Sequence, residues 1–443
     1  MMDPAMLAGI ILIIGILALI AIGAPIAIAI GLPSVVALIA VIGVEPAVFV
    51  SAQRMFMGAN SFSLLAIPFF VLAGQLMNTG GVAARLIDAA KVLVGRMPGS
   101  LAQTNVVANA MFGSVSGAAV ASAAAVGGIL SPRQRKEGYD PAFAAAVNVA
   151  SAPSGMLIPP SNTLIVYSLV SSTSVATLFA AGYGPGAVWM LACIAMVFLV
   201  TKRRPELVGN DNGAARGELT FAMAARTLLA AVPAVFMMVI VIGGLVAGFF
   251  TATESAVIAV VYSLVLGMIY RELTVKKLPA VILAATRTTA VVLLLIAVSG
   301  VLGWVLAYAT IPQFIASALL GVSTSPIIVL LLMMLALLVV GMFMDPTPAI
   351  LIFTPIFLPV ALELGVDPIH FGLMMTFNLC LGTITPPVGV ILFVGARVGR
   401  MKVEPVIMRL LPFYVPLVIG LLLIMFVPQI SMFIPDLLGM SSE

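Results

Sequence analysis

The chain has 443 residues, 63% of them hydrophobic and 8% charged, with a net charge of +4 and a mean hydropathy of +1.26. Soluble domains carry about 25% charged residues, so this composition excludes a soluble enzyme or a nucleic-acid-binding protein and implies a polytopic membrane protein. Two cysteines, Cys193 and Cys380, and a single histidine, His370, argue against a disulfide framework, a zinc centre or a bis-histidine haem.

A membrane-crossing helix needs about 20 apolar residues. Residues 7–24, 32–50 and 62–77 supply three candidate spans, and the first reads as one of a series rather than as a cleaved signal peptide. Residues 82–99 carry Arg85, Asp88 and Lys91 at helical spacing opposite Leu86, Ala90 and Leu93. That pattern marks an amphipathic helix on the membrane surface or bracing another helix; the plainer alternative is a polar connector. Residues 101–130 are rich in small side chains, with Gly113, Ser114, Ser116 and Gly117 at their midpoint. They form either one tilted span packed through small residues or a re-entrant hairpin of two half-helices.

After a basic loop, residues 138–162 begin as a helix and then carry Ser151, Pro153, Ser154, Gly155 and Pro159-Pro160. Each Pro removes a backbone donor and clashes with the preceding turn, so this helix is interrupted at bilayer depth. Further spans cover 175–201, 227–250 and 253–270, and another ends near Tyr308; polar residues 204–217 read as a linker between halves. Arg271, Glu272, Lys276, Lys277 and Arg287 form a second charged stretch. The apolar region 326–364 is broken at residues 341–349, GMFMDPTPA, a second interrupted helix covers 365–389, and a last span covers 405–428.

Asp140-Pro141 precedes Pro159-Pro160 by 19 residues, and Asp367-Pro368 precedes Pro386-Pro387 by the same 19. A shift of 227 residues carries Pro132 onto Pro359, Asp140 onto Asp367, Gly155 onto Gly382 and Ser114 onto Gly341. Two interrupted helices in corresponding positions of two halves point to a transport site. If both small-residue breaks are hairpins, every Lys and Arg except Arg54 falls on one side, which becomes the cytoplasmic side, with both termini periplasmic. A full crossing at either break would scatter basic loops to both sides, which decides for hairpins. The expected fold is all-α: an inverted repeat of five spans plus one re-entrant hairpin per half.

Unwound helices free carbonyls that suit a hard cation such as sodium, and half-helix N-termini suit a carboxylate. One expected sodium site comprises Gly113, Ser114, Ser116, Gly155, Ile158 and Pro159; the other comprises Gly341, Met344, Gly382, Thr383, Thr385 and Pro386. Ser116, Asn148, Ser154, Asp345, Thr347 and Asn378 are the expected substrate contacts. For Asn148 and Asn378 a structural role is an equal alternative. Asp345 is costly at bilayer depth and hence functional, or else it caps the half-helix that follows Pro346. Glu254 reads as a functional acid or an end-cap, and Asp140 and Asp367 as N-caps ahead of Pro. No Walker loop and no nucleophile–base set is present. The chain is therefore expected to be no enzyme, to need no cofactor, and to draw energy from an ion gradient or a partner.

Several stretches, in order along essentially the whole chain, resemble the large permease subunit of tripartite ATP-independent periplasmic (TRAP) transporters, the DctM/SiaM family: IPFFVLAGQLMNTGG from Ile67, GSVSGAAVAS from Gly113, IPPSN from Ile158, FTATESA from Phe249, GMFMDPTPA, and DPIHFG with NLCLGTITPPVG. The resemblance implies an elevator-type permease of the ion-transporter superfamily in the bacterial inner membrane, with sodium as coupling ion. It also implies two partners: a small four-helix membrane subunit and a periplasmic binding protein that delivers an organic anion, a C4-dicarboxylate or a sialic acid. In that scheme residues 1–100 supply scaffold spans and a first arm helix, 101–172 a hairpin and broken helix of the transport domain, and 173–325 further scaffold, the linker and a second arm. Residues 326–400 supply the second hairpin and broken helix, and 401–443 a last scaffold span. The rival is a one-component sodium/dicarboxylate symporter. Such proteins carry Ser-Asn-Thr at both hairpin tips, whereas Ser161-Asn162-Thr163 here follows the first break.

Overall fold

The computed structural model describes residues 4–209, 221–323 and 325–440, and the described residues are helical with no strand. The predicted linker is described only as far as Gly209; residues 210–217 lie outside the described residues. The chain opens with α1 (Pro4–Ala21), α2 (Ile26–Ile42), α3 (Val44–Ala59) and α4 (Ala66–Thr79). The span expected at 32–50 is thus two helices. Gly43, at a φ of 85°, ends α2, and Pro46 falls in the first turn of α3, where its missing N–H costs nothing.

Helix α5 (Val82–Val94) turns 72° away from α4 and buries Val82, Leu86, Ile87 and Ala90. It is the amphipathic brace, although Leu93 lies outside its packed face at 61% exposed. Next come α6 (Ser100–Ser116) and α7 (Ala119–Lys136), separated by Gly117 in a left-handed conformation, φ 62°. The Gln134 side chain donates to the Leu101 carbonyl at 3.4 Å, so the end of α7 lies beside the start of α6. The region is a hairpin, not one tilted span.

The first interrupted helix is α8 (Pro141–Ser151), α9 (Ser154–Leu157) and α10 (Asn162–Ser171), bent 43° at the break. Asp140 caps α8 by accepting from Phe143 N at 2.8 Å, and Ser161 caps α10 by accepting from Leu164 N. Three long helices follow after α11 (Val175–Arg203): α12 (Phe221–Val246), α13 (Ala252–Ile269) and α14 (Leu278–Tyr308). Thr251 and Glu254 form a reciprocal capping box at the start of α13, so Glu254 is an end-cap. The expected second arm is not a separate helix. Residues 278–287 are the opening turns of the continuous 31-residue α14, because no break residue separates them from the span.

The remainder is α15 (Ile311–Val322), α16 (Pro326–Gly341), α17 (Pro346–Glu363), α18 (Pro368–Thr383), α19 (Val390–Val398), α20 (Val403–Phe426) and α21 (Gln429–Leu437). Helices α15 and α21 are additions to the sequence reading. Asp367 caps α18, accepting from Ile369 N and His370 N at 2.7 and 3.1 Å.

The two halves interlock. Helix α10 packs on α17 and α18, and reciprocally α19 packs on α7 and α8. Tyr167 of α10 donates to the Pro368 carbonyl at 2.6 Å. The Cys380 thiol lies 3.9 Å from the Pro153 carbonyl, and these positions are 227 apart, the repeat shift itself. Trp189 of α11 sits at the same crossing, donating to the Ala150 carbonyl at 2.8 Å and stacking edge-on against Phe377.

Candidate functional site

A cavity of about 210 Å³ opens where the two halves meet. One wall holds Gly117, Ala118, Ala119 and Val120 at the α6–α7 turn, Met156 of α9, and Asn162, Thr163 and Val166 of α10. Asp345, Thr347 and Ile391 come from the second half. Ile67 and Val71 of α4 and Thr288 and Val292 of α14 complete the lining.

The starts of three helices, α7, α10 and α17, border this space. The last two are capped by Ser161 and Asp345, whereas Ala118 offers α7 no side-chain cap. Unpaired first-turn N–H groups and the helix dipole make such an end a seat for an anion. The Asn162 side-chain oxygen is buried without a hydrogen-bond partner, and Thr163 donates to the Met156 carbonyl at 3.0 Å. Asp345 accepts from Thr347 N at 3.0 Å. It is a cap that also lines the cavity, so both sequence readings of this residue stay in play.

Each interrupted helix touches its hairpin through paired glycines. A Cβ on Gly113 would lie 2.2 Å from Gly155 Cα, and a Cβ on Gly382 would lie 2.6 Å from Gly341 Cα. Only residues without side chains let these backbones meet. The hairpin partners stand 228 apart and the broken-helix partners 227, so the tips match with a one-residue offset. Ile158 closes α9, its N–H donating to the Ser154 carbonyl at 2.9 Å, and Pro159 lies in the break beyond it, as Pro386 does after α18; Met344 N returns to the Val340 carbonyl at 3.2 Å. The Gly389 N–H donates to the Met342 carbonyl at 2.9 Å and ties the second break to its hairpin turn.

The hydroxyls near the breaks serve their own helices. Ser154 donates to Ser151 O, Thr383 to Cys380 O and Thr385 to Leu381 O, at 2.7, 2.6 and 2.7 Å. Ser114 is engaged with Met111 O at 2.7 Å and Met238 Sδ at 3.5 Å, towards α12. Ser116 lies 3.5 Å from Ser122 Oγ.

Of the six expected substrate contacts, Asp345 and Thr347 line the cavity; Ser116, Asn148, Ser154 and Asn378 do not. Asn148 is spent on structure. Its amide donates to Ala123 O at 2.9 Å and its oxygen accepts from Asn109 at 3.0 Å, stitching α8 to both arms of the hairpin. Asn378 donates to Met334 O and so ties α18 to α16. Asn162 and Thr163 escaped the sequence reading of the site. Their signal was available: they are the first residues of the half-helix that restarts after Pro159-Pro160.

A family model described as "Tripartite ATP-independent periplasmic transporter, DctM component" matches residues 13–430. The chain is 37% identical over 393 residues to the sialic acid TRAP transporter large permease protein SiaM of Vibrio cholerae, covering 87% of this chain and 89% of that protein. It is 38% identical over 391 residues to the C4-dicarboxylate TRAP transporter large permease protein DctM of Pseudomonas aeruginosa, with 88% and 90% covered. An uncharacterized protein of Salmonella typhimurium, YgiK, is 48% identical over 405 residues, with 91% and 92% covered. Among solved structures, the Alcanivorax borkumensis YdaH transporter matches with a TM-score of 0.58 at 16% identity, covering 88% and 90%, a likeness of fold alone. With a family model spanning nearly all of the chain and relatives alike along most of it, the protein belongs to the DctM family of large TRAP transporter permeases: a multi-pass inner-membrane transporter and not an enzyme.

Proposed function

We propose that this permease imports a short organic anion together with sodium ions, receives it from a periplasmic binding protein, and works beside a small four-helix membrane subunit. The observation that carries this reading is the cavity's lining, which joins residues of the hairpin tips and broken helices to residues of α4 and α14. If one group of helices slides against the other, a cavity held between them opens to each side in turn, which is an elevator. We assign α11 and α20 to the sliding group rather than to the scaffold expected from sequence, because both pack on α8 and α18. Helix α5 links the groups: Arg85 stacks on Tyr270 at 3.5 Å from the ring centre, and Asp88 pairs with Arg133 of α7 at 3.2 Å. Both termini are periplasmic, since that orientation keeps the basic loops in the cytoplasm.

In this proposal the anion's carboxylate rests on the start of α7, with the Asn162 amide nitrogen and the Thr347 hydroxyl donating to it. The sodium ions lie beside the two glycine crossings. A hydroxyl that donates to a carbonyl keeps lone pairs for a cation, so the present bonds of Ser154, Thr383 and Thr385 are compatible with ligation. Relatives are named for sialic acid and for C4-dicarboxylates. A volume of about 210 Å³ lies below the ~300 Å³ at which pockets for drug-sized ligands begin, which favours an acid of dicarboxylate size over a bulky sugar acid.

The test is uptake into proteoliposomes holding both membrane subunits, with the cognate binding protein outside and an inward sodium gradient. Uptake should saturate with sodium and vanish when either partner is omitted. Sodium-independent uptake would defeat the coupling, and uptake without binding protein would establish the one-component symporter instead. Within this assay Asn162→Leu should raise the half-saturating anion concentration at least ~10-fold, because a hydrogen bond to a charged group is worth about 1.5–3 kcal/mol. Its sodium dependence should not move; a change confined to sodium would remove Asn162 from the anion's seat. Ser116→Ala and Thr385→Ala should show the reverse, a several-fold higher sodium requirement, and unchanged sodium curves in both would take these hydroxyls out of the ion sites.

A further inference from the structure

A second cavity, about 630 Å³, lies between α11 and α20, away from the anion cavity, and transport gives it no role. Its walls are two helical stripes. Met196, Leu199, Val200 and Arg203 follow one another at i, i+3, i+4 and i+7 along α11, and Met408, Leu411, Pro412 and Val415 do the same along α20. Such spacing puts each set on one face, and seven residues of helix make a trough about 10 Å long. One end of the trough is basic, with Arg203, Arg204 and Arg409; the other is apolar.

The charges are not used up locally. Arg409 shares one carboxylate oxygen of Asp140 at 2.9 Å, while the other oxygen caps α8. Arg203 and Arg204 enter no ion pair among the described residues, and Glu206 stands exposed on the following turn. The dipole at the end of α11 accounts for a cation at Arg203, but not for Arg409, which sits on the second turn of α20 from its N-terminus. Nor does it account for an apolar trough leading away from the cations. A trough with arginines at one end and methyl groups along its length complements a molecule with an anionic head and a hydrocarbon tail. Basic pockets between membrane helices recognise anionic head groups in this way.

We infer that this groove seats an anionic phospholipid, its phosphate held by Arg203, Arg204 and Arg409 and the upper part of an acyl chain lying between the two stripes. The lipid would then be carried on the outer face of α11 and α20.

Native mass spectrometry of the purified protein, titrated with dioleoylphosphatidylglycerol or with dioleoylphosphatidylcholine, tests this without any transport assay. One phosphatidylglycerol should be retained at concentrations where phosphatidylcholine is not, and the Arg203→Gln/Arg204→Gln variant should weaken its retention at least tenfold. Leu411→Trp fills the trough from an exposed position and keeps all three arginines, so it should weaken retention as well. Equal retention of the two lipids, or unchanged retention in both variants, overturns the proposal. Displacement of the lipid by millimolar inorganic phosphate, with Leu411→Trp unaffected, would mark a site for free anions and overturn it too.

Discussion

Gly155→Ala is expected to lower transport sharply while leaving a protein that inserts in the membrane. The added Cβ would lie 2.4 Å from Gly113 Cα and 3.0 Å from Gly113 C, and backbone atoms cannot swing aside as a side chain can. Overpacking a tight interior costs about 1–3 kcal/mol; here the strain can be relieved only by parting α9 from the hairpin, which moves the break and the cavity wall together. Uptake should fall between ~5-fold and ~150-fold for a loss of about 1–3 kcal/mol of ordering at the site. Gly382→Ala should behave alike, since its Cβ would meet Gly341 C at 2.5 Å. Gly243→Ala is the control, with no atom within 4 Å of the new methyl. Uptake and thermal melting measured on all three variants decide the matter. Wild-type uptake by both crossing variants would mean that the helices do not meet there.

Asp345→Asn is the second large expectation. The carboxylate caps α17 and lines the cavity, and one substitution separates these roles because Asn caps about as well as Asp. The Asn variant should melt like the wild type yet transport at least ~10-fold more slowly, because a charge at this depth persists only where it has a partner to act on. Asp345→Ala loses the cap as well and should be less stable by about 0.5–2 kcal/mol. Full uptake by the Asn variant would reduce Asp345 to a cap.

These two residues show what the sequence made legible. Proline and glycine leave marks that no packing can erase, so the breaks at Pro159 and Pro386 and the caps at Asp140 and Asp367 were readable from residue type and spacing, whereas the turn at Gly117 needed the placing of basic loops on one side to decide it. Long apolar runs hide what punctuation they hold. Gly43 and Pro46 divide α2 from α3 inside one such run, α14 continues through its opening because no break residue interrupts it, and α15 and α21 are short helices at the margins of longer apolar stretches. The cavity was the least legible feature. It is assembled from short stretches of both halves and two outer helices, and most of its lining is small and uncharged. Polarity drew attention to Asn148, whose amide in fact holds α6, α7 and α8 together, and away from Asn162, whose side-chain oxygen is buried at the cavity without a partner. Residue type alone cannot say which asparagine already has its hydrogen bonds.

Alternating exposure of the cavity is tested most directly with a single thiol at Val120, which lines it and is 38% exposed. The native thiols Cys193 and Cys380 are fully buried and can be replaced by Ala to clear the background. A membrane-impermeant thiol reagent is applied from the periplasmic or the cytoplasmic side of oriented vesicles, with and without sodium and anion. An elevator predicts that Val120→Cys is labelled from both sides, and that sodium with the anion slows both reactions. Labelling from one side only, whatever ligands are present, would contradict it.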